Sequence, residues 1–174
     1  MPFNLLKEYN DLLELVSLTE QDRIKSLLGI FNRDIRNNTH FYFNGKPIHP
    51  TPSTDGEDAM GTLFNHLTRK TVNQETNSRE FDMKRSERLH WIKFHIDGRS
   101  PEKLLRFSVK EPKYGIRTYV YDNDEKYVII LEPKTNKTTG YEYYYLLTAY
   151  LLEGKDKMRD KIIKKYERRE KDLY

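Results

Sequence analysis

The chain contains no cysteine, only eight glycines and no long apolar run. Without cysteine, disulfide bonds and thiolate metal sites are excluded, and a reducing cytoplasm is the compartment that we expect. No stretch approaches the roughly 20 apolar residues that a transmembrane helix requires, and the N-terminal segment lacks the basic and apolar regions of a signal peptide. A glycine-rich phosphate loop is also missing. The sequence therefore predicts a soluble cytoplasmic protein without a membrane partner.

The whole chain has 174 residues, a length that fits one compact domain. Its positive charge is concentrated in the later part. Residues 1–58 contain six Lys or Arg and nine Asp or Glu, a net charge of −3. The other 116 residues contain 25 Lys or Arg and 18 Asp or Glu, a net charge of +7. Phosphate contacts supply most of the affinity for nucleic acids, so this asymmetry favours a polyanionic partner, with RNA as our expectation. A solvated surface would explain the same charges about as well.

Periodicity places helices first and strands later. The predicted helices span residues 3–16, 19–36, 55–71, 80–96 and 155–171, the predicted strands span 104–109, 116–121, 127–132 and 141–152, and a short hairpin at 41–48 turns at Asn44–Gly45. This order predicts an α+β fold in which N-terminal helices precede a four- or five-stranded antiparallel sheet and a C-terminal helix. The proline-containing loop at 49–56 divides an N-terminal helical cap with a short hairpin (1–54) from a second part (55–174).

Most metal sites are disfavoured by residue spacing. His90 and His95 lie five residues apart and do not share a helix face as a zinc-binding pair would. One metal alternative stays open, because Glu132 and Lys134 follow a predicted strand and Asp122 precedes them by ten residues. This pattern resembles the acidic ligands and lysine of restriction endonucleases, although the proline at 133 is unusual inside a strand.

A reaction without metal suits the other polar residues better. RNA cleavage of this kind needs a base for the 2′-hydroxyl, an acid for the leaving oxygen, and cations or hydroxyls around the phosphorane. Histidine fits the acid and base roles because its pKa lies near 6.5. The candidates are His66, Arg85, Arg88, His90, Arg117, Thr148 and Tyr150. Without further support, His66 would more often be a packed or surface histidine.

The last predicted strand supplies a hydroxyl at Thr148. Strict alternation places Thr148 on the same face as Tyr144, Leu146, Tyr150 and Leu152. A buried threonine hydroxyl needs a hydrogen-bond partner. A phosphate oxygen would serve as one.

Several motifs resemble those of a known nuclease superfamily. The segments LFNHLTRK (63–70), RSERLHWIKFHID (85–97), IRTYVYDNDEKYVIIL (116–131) and YYLLTAYLLEGKDK (144–157) occur in the order typical of it. They are similar to motifs of phage- and mobile-element-associated nucleases in the superfamily that unites barnase, EndoU, colicin toxins and RelE, abbreviated BECR. The resemblance covers roughly residues 55–171 and identifies the later part of the chain as a BECR-like nuclease domain.

The resemblance implies a function and a set of site residues. It implies a metal-independent endoribonuclease that leaves a 2′,3′-cyclic phosphate, needs no cofactor, and acts on tRNA or mRNA as a toxin or defence effector held by an inhibitor protein. The implied catalytic residues are His66, Arg85, Arg88, Arg117 and Thr148, and the implied substrate-binding residues are Arg69, His90 and Tyr150. The family often has proline where His90 stands. A non-catalytic RNA-binding module on a decayed nuclease fold, the metal-dependent nuclease, and an ADP-ribosyltransferase stay open as alternatives.

Overall fold

Helices and strands share the chain in a computed structural model that describes residues 2–54, 56–99 and 101–174. The helices of the described ranges are α1 Glu20–Phe31, α2 Ala59–Thr68, α3 Met83–Ser86, α4 Trp91–Ile96, α5 Gly154–Met158 and α6 Lys161–Glu167. The strands are β1 Tyr42–Phe43, β2 Lys46–Pro50, β3 Arg69–Asn73, β4 Ser78–Phe81, β5 Leu104–Glu111, β6 Gly115–Asp122, β7 Tyr127–Thr135 and β8 Glu142–Leu151. The predicted α+β class is confirmed.

The main sheet contains six strands in the order β1-β2-β8-β7-β6-β5. Strands β5 to β8 form the antiparallel meander that the sequence predicts. Strand β2, however, pairs in parallel with the first half of β8 through Ile48, His49 and Pro50. The prediction of a four- or five-stranded antiparallel sheet is therefore wrong, because the β1–β2 hairpin satisfies the backbone groups along that edge of β8 and makes the sheet mixed.

The first predicted helix is wrong, whereas the second is confirmed. In the N-terminal segment only Pro2–Leu6 is helical, as a 3-10 turn, and the following chain is irregular as it buries Leu13 and Leu15. Helix α1 begins where Thr19 accepts a hydrogen bond from the backbone N–H of Asp22 at 3.2 Å. Its last turn widens into a π-helical turn at Asn32–Arg36.

The two central helices are shorter than the sequence predicts. Helix α2 begins after its cap Asp58, and the prediction of a start near Asp55 falls outside the described residues. Beyond Thr68 the chain forms the β3–β4 hairpin, where the sequence predicts the end of one helix, a polar loop and the start of the next helix. The predicted helix at 80–96 is therefore wrong: residues 80 and 81 belong to β4, and α3 and α4 are separate short helices.

The sheet carries a core on each face. On the first face, the main core includes residues from both sides of the predicted division at residues 54 and 55, such as Phe31, Ile48 and Leu146. That division stays a prediction, although the two parts share this core. On the second face, a smaller core joins Phe107 and Tyr121 to Ile162 of α6. The predicted C-terminal helix is split into α5 and α6 at Asp160, which has a left-handed φ of 41°.

A β-bulge changes the faces of β8. Ile130 of β7 pairs with Thr148, but the next residue, Leu131, pairs with Leu146, so Leu147 has no partner on β7. The bulge moves Thr148 to the second face, whereas Tyr144 and Leu146 stay in the main core on the first face. The prediction that Thr148 shares a face with those two residues is wrong, because an extra residue in one strand shifts the alternation by one.

Among the described residues, no helix is both long enough and apolar enough to cross a lipid bilayer.

Candidate active site

A polar cavity lies at the edge of β8, just beyond the point where β2 ends. Strand β2 pairs with β8 only as far as Leu146, so the edge from Leu147 onward faces α2, α3 and the β3–β4 hairpin. The cavity has a volume of about 350 Å³ and is lined by His66, Lys70, Thr71, Arg79, Arg85, Leu147 and Thr148. None of these lining residues is acidic. The cavity therefore suits an anionic ligand.

His66 lies in the last turns of α2 and is half-buried. Leu63 and Leu67 of the same helix are buried in the main core, which turns the histidine towards β8. Burial lowers the pKa of His66, and the positive charges of Arg79 and Arg85 lower it further, against the opposing effect of the nearby Leu147 carbonyl. The imidazole is therefore neutral at physiological pH and available as a base.

Arg85 of α3 connects the end of α2 to β8. Its Nη1 donates to the carbonyl oxygen of His66 at 2.9 Å and to that of Arg69 at 3.3 Å. The same nitrogen donates to Thr148 Oγ1 at 3.3 Å. The helix that carries Arg85 is held by a bond from the buried Ser86 hydroxyl to the Thr68 carbonyl at 3.0 Å. The guanidinium therefore fixes the geometry of the cavity, while its Nε lies 3.5 Å from Asp82 Oδ2, which balances part of its charge.

Arg79 and Lys70 add positive charge that the sequence did not assign to a site. Arg79 of β4 donates to the Arg69 carbonyl at 3.4 Å, and no carboxylate of the described chain lies within ion-pair distance of it. Burial and the neighbouring Arg85 lower the pKa of Arg79, although an arginine stays charged in a protein. Both residues lie on the β3–β4 hairpin. The sequence of this hairpin is polar and was predicted as the end of a helix and a loop, so it did not indicate that these residues belong to a site.

Two of the predicted substrate-binding residues adjoin the cavity. Arg69 contributes its carbonyl oxygen, which accepts hydrogen bonds from both Arg79 and Arg85. Tyr150 of β8 lies under Arg85, with the guanidinium carbon 5.4 Å from the ring centroid. Burial raises the pKa of Tyr150, so its hydroxyl stays protonated. Both residues support Arg85.

The structure does not bring Arg88, His90 or Arg117 to this cavity. Arg88 donates to Glu87 Oε1 at 2.6 Å and lies over Trp91. His90 is 5% exposed and contacts the Glu8 carbonyl at 3.3 Å, beside a different cavity. Arg117 forms an ion pair with Glu132 on the second face of the sheet. Of the eight residues predicted from the sequence, His66, Arg85 and Thr148 line the cavity.

The residues of the metal alternative lie apart. Asp122 pairs with Tyr127 at one end of β7 and accepts from His95 Nε2 at 3.0 Å. Glu132 is five residues further along β7, about 17 Å away at the rise of a strand, and pairs with Lys134. Among the described residues, no cluster of three or more His, Asp or Glu side chains could hold a metal ion. Asp122, Glu132 and Lys134 therefore do not form one centre.

Comparison with known proteins leaves the chain without an identified relative. No family model matches it, and neither does any curated protein or solved structure. The likeness to the BECR nucleases therefore rests on the sequence motifs alone.

Proposed function

We propose that the protein is a metal-independent endoribonuclease whose active site is the cavity at the edge of β8. The observation that carries this proposal is the presence of His66, Arg85 and Thr148 in one cavity that also contains Arg79 and Lys70. A neutral imidazole, a hydroxyl and three cations match the requirements for cleaving a phosphodiester by its own 2′-hydroxyl.

His66 takes the role of general base. Its lowered pKa keeps the imidazole unprotonated at neutral pH. A neutral imidazole has one unprotonated ring nitrogen, which can accept the proton of the 2′-hydroxyl. A deoxyribose lacks that hydroxyl, so the same site would not cleave DNA.

The cations and the threonine stabilise the transition state. As the 2′-oxygen forms its bond to phosphorus, the bond from phosphorus to the 5′-oxygen breaks. His66 accepts the 2′-proton, and the departing 5′-oxygen takes a proton from water. The resulting hydroxide and the protonated His66 then neutralise one another. The guanidinium groups of Arg79 and Arg85 and the Thr148 hydroxyl would contact the phosphorane oxygens, where charge accumulates. The products are a 2′,3′-cyclic phosphate and a 5′-hydroxyl.

The experiment that tests this proposal compares His66→Ala with His40→Ala. His40 is exposed and lies outside the cavity, so it controls for loss of a histidine. With a mixed-sequence RNA substrate, His66→Ala should lower cleavage by about 10²–10⁴-fold, the usual contribution of one acid–base group. His40→Ala should cleave as the unchanged protein does. Mass spectrometry of the products should show cyclic phosphate ends. Equal activity of the two variants, or 5′-phosphate products, would contradict the proposal.

An RNase with an open active site would harm its own cell, so we propose that the chain acts as a toxin or defence effector under the control of an inhibitor. The charge of the cavity would favour an inhibitor with an acidic surface. Induced expression of the unchanged protein in bacteria should arrest growth, and His66→Ala should not. Equal growth of the two cultures at equal protein levels would contradict the toxin role and leave the RNase activity to the assay above.

A further inference from the structure

Three tyrosines form a row on the second face of the sheet, two of them at the start of β8 and one, Tyr141, directly before it. Tyr141 and Tyr143 stack with their ring centroids 5.7 Å apart, and Tyr143 and Tyr145 meet edge to face at 5.3 Å. The imidazole of His49 on β2 lies 5.6 Å from Tyr143. The Lys134 ammonium lies 5.8 Å from the centroid of Tyr145. We call these five side chains the tyrosine surface.

The tyrosine surface is not part of a core. Tyr141 is 51% exposed, and the side chains of His49 and Lys134 are exposed as well. Helix α6 covers the second face over Phe107 and Tyr121, which lie towards the other end of the strands. Tyr143 and Tyr145 are half-buried. Three aromatic rings in a row outside a core are nevertheless unusual for a solvated surface, because aromatic side chains bury large apolar areas.

The bulge at Leu147 makes the tyrosine surface continuous with the candidate active site. Tyr145 pairs with Glu132 and Thr148 pairs with Ile130, and these two partners are alternate residues of β7. Tyr145 and Thr148 therefore project from the same face, about 7 Å apart along the strand, the separation of their two partners on β7. A strand without the bulge would place Thr148 on the opposite face from the tyrosines. A chain bound along β8 can therefore contact both the tyrosines and the cavity.

Basic side chains border the tyrosine surface on the neighbouring strands. Lys134 and Arg117 both pair with Glu132, so this group carries one net positive charge. Further along, Arg117 and Lys113 lie 5.1 Å and 5.5 Å from the ring centroid of Tyr114, which is 61% exposed. Aromatic rings with interspersed cations are the arrangement that binds single-stranded nucleic acids, by base stacking and phosphate contact.

We propose that the tyrosine surface binds the unpaired bases of single-stranded RNA next to the scissile phosphate. This inference rests on the proposed function, since it assigns the substrate class of the same site. Stacking on the tyrosines requires bases whose faces are free, and the bases of a duplex are already stacked on one another. The protein therefore selects unpaired segments, such as loops, over helical RNA.

The test measures binding without cleavage, in the His66→Ala background. A fluorescein-labelled 12-nucleotide RNA is titrated as a single strand and as a duplex with its complement. The double variant Tyr141→Ala and Tyr143→Ala should weaken single-strand binding by at least about tenfold, since alanine substitution of a stacking residue has an effect of this size. The matched variant Tyr141→Phe and Tyr143→Phe keeps the rings and should bind within about twofold. Duplex binding should not change in either variant.

Equal single-strand affinity of the alanine and phenylalanine variants would overturn the inference, and so would an equal loss for single strand and duplex. Tyr141→Ala alone provides a second variant, because this side chain is half exposed and its removal leaves the core intact. The two proposals fail in different ways. Cleavage that is unaffected by the alanine variants would leave the RNase in place and remove the tyrosine surface. If binding depends on the tyrosine rings but the protein with His66 intact does not cleave RNA, the tyrosine surface stands and the proposed RNase activity is wrong.

Discussion

Arg85 Nη1 donates a hydrogen bond to Thr148 Oγ1 across 3.3 Å, although 62 residues lie between them in the chain. The same nitrogen binds the carbonyl oxygen of His66. One guanidinium nitrogen thus joins the backbone of His66 to the side chain of Thr148. A bound phosphate would compete for this nitrogen, and the Thr148 hydroxyl would then turn to the phosphate oxygen.

The first prediction concerns the Thr148 hydroxyl. Thr148→Val keeps the volume and removes the hydroxyl, so it should lower kcat by about 10²-fold or more, as loss of one oxyanion donor does. Thr148→Ser restores the hydroxyl and should recover most of the activity. Single-turnover cleavage measures both variants, and thermal melting should show that both stay folded. A valine variant with full kcat would remove the hydroxyl from the mechanism.

The second prediction concerns the salt dependence of RNA binding. The sequence alone predicts that Arg88 contacts phosphate, but in the structure Arg88 is paired with Glu87. Arg79 has no carboxylate partner among the described residues, so we expect it to make the contact instead. Arg79→Ala should reduce the slope of log affinity against log salt by about 0.7, one single-strand phosphate contact. Arg88→Ala serves as the matched control and should leave the slope unchanged. A reduced slope in Arg88→Ala together with an unchanged slope in Arg79→Ala would show that Arg88, and not Arg79, contacts the phosphate.

The third prediction concerns metal ions. Because Asp122 ends β6 beside the first residue of β7, and Glu132 lies five residues further along β7, the two carboxylates are far apart, and we expect cleavage to continue in excess EDTA at an unchanged rate. Glu132→Gln should also stay active, since its carboxylate only pairs with Arg117 and Lys134. Loss of activity in EDTA that magnesium or manganese restores would move the assignment to the metal-dependent alternative.

The fourth prediction concerns a buried histidine–carboxylate pair. Asp122 is 1% exposed and accepts hydrogen bonds from His95 and Tyr9. Burial alone would raise the pKa of Asp122, but the bonds from His95, Tyr9 and the backbone N–H of Glu125 together lower it. A carboxylate with a lowered folded-state pKa stabilises the fold above its unfolded pKa, near 4, and loses this effect as the pH falls through the folded value.

Asp122→Ala should therefore cost about 3 kcal/mol at neutral pH. The difference from the unchanged protein should shrink as the pH falls below about 4. Urea unfolding at several pH values measures both effects. Asp124→Ala, in the same turn but exposed, is the control and should change the free energy of unfolding by less than about 0.5 kcal/mol. A pH-independent loss in Asp122→Ala would mean that packing, and not charge, holds this position.

Local signals in the sequence predict the local parts of the fold. The Asn44–Gly45 turn, in which both residues have positive φ, and the Thr19 cap are found where expected. The parallel pairing of β2 with β8 was missed because it joins segments far apart in the chain and depends on a free strand edge. The β3–β4 hairpin was missed because its side chains are mostly exposed, so no apolar alternation indicates a strand.

The candidate site could be predicted in part for the same reason. His66, Arg85 and Thr148 each lie in a motif, and they lie on helices and a strand as predicted, although α3, which carries Arg85, is much shorter than the predicted helix. Arg88 was grouped with Arg85 on one long helix, but α3 ends at Ser86, and the turn that follows directs Arg88 to Glu87. No residue pattern in the sequence predicts the bulge at Leu147. It nevertheless decides that Thr148 and Tyr145 share a face.

The last prediction is the pH dependence of cleavage. Burial, Arg79 and Arg85 all lower the pKa of His66. A base with a lowered pKa stays unprotonated to lower pH, so kcat/KM should be constant near neutrality and fall only below about 6.5, the usual value for histidine. Arg79→Ala removes one of the positive charges that oppose protonation, so the pKa should rise and the acidic limb should move to higher pH. Arg88→Ala should leave the limb in place. If the acidic limb of the kcat/KM profile does not move in Arg79→Ala, another group titrates there. If the same limb persists in the residual activity of His66→Ala, His66 is not the base.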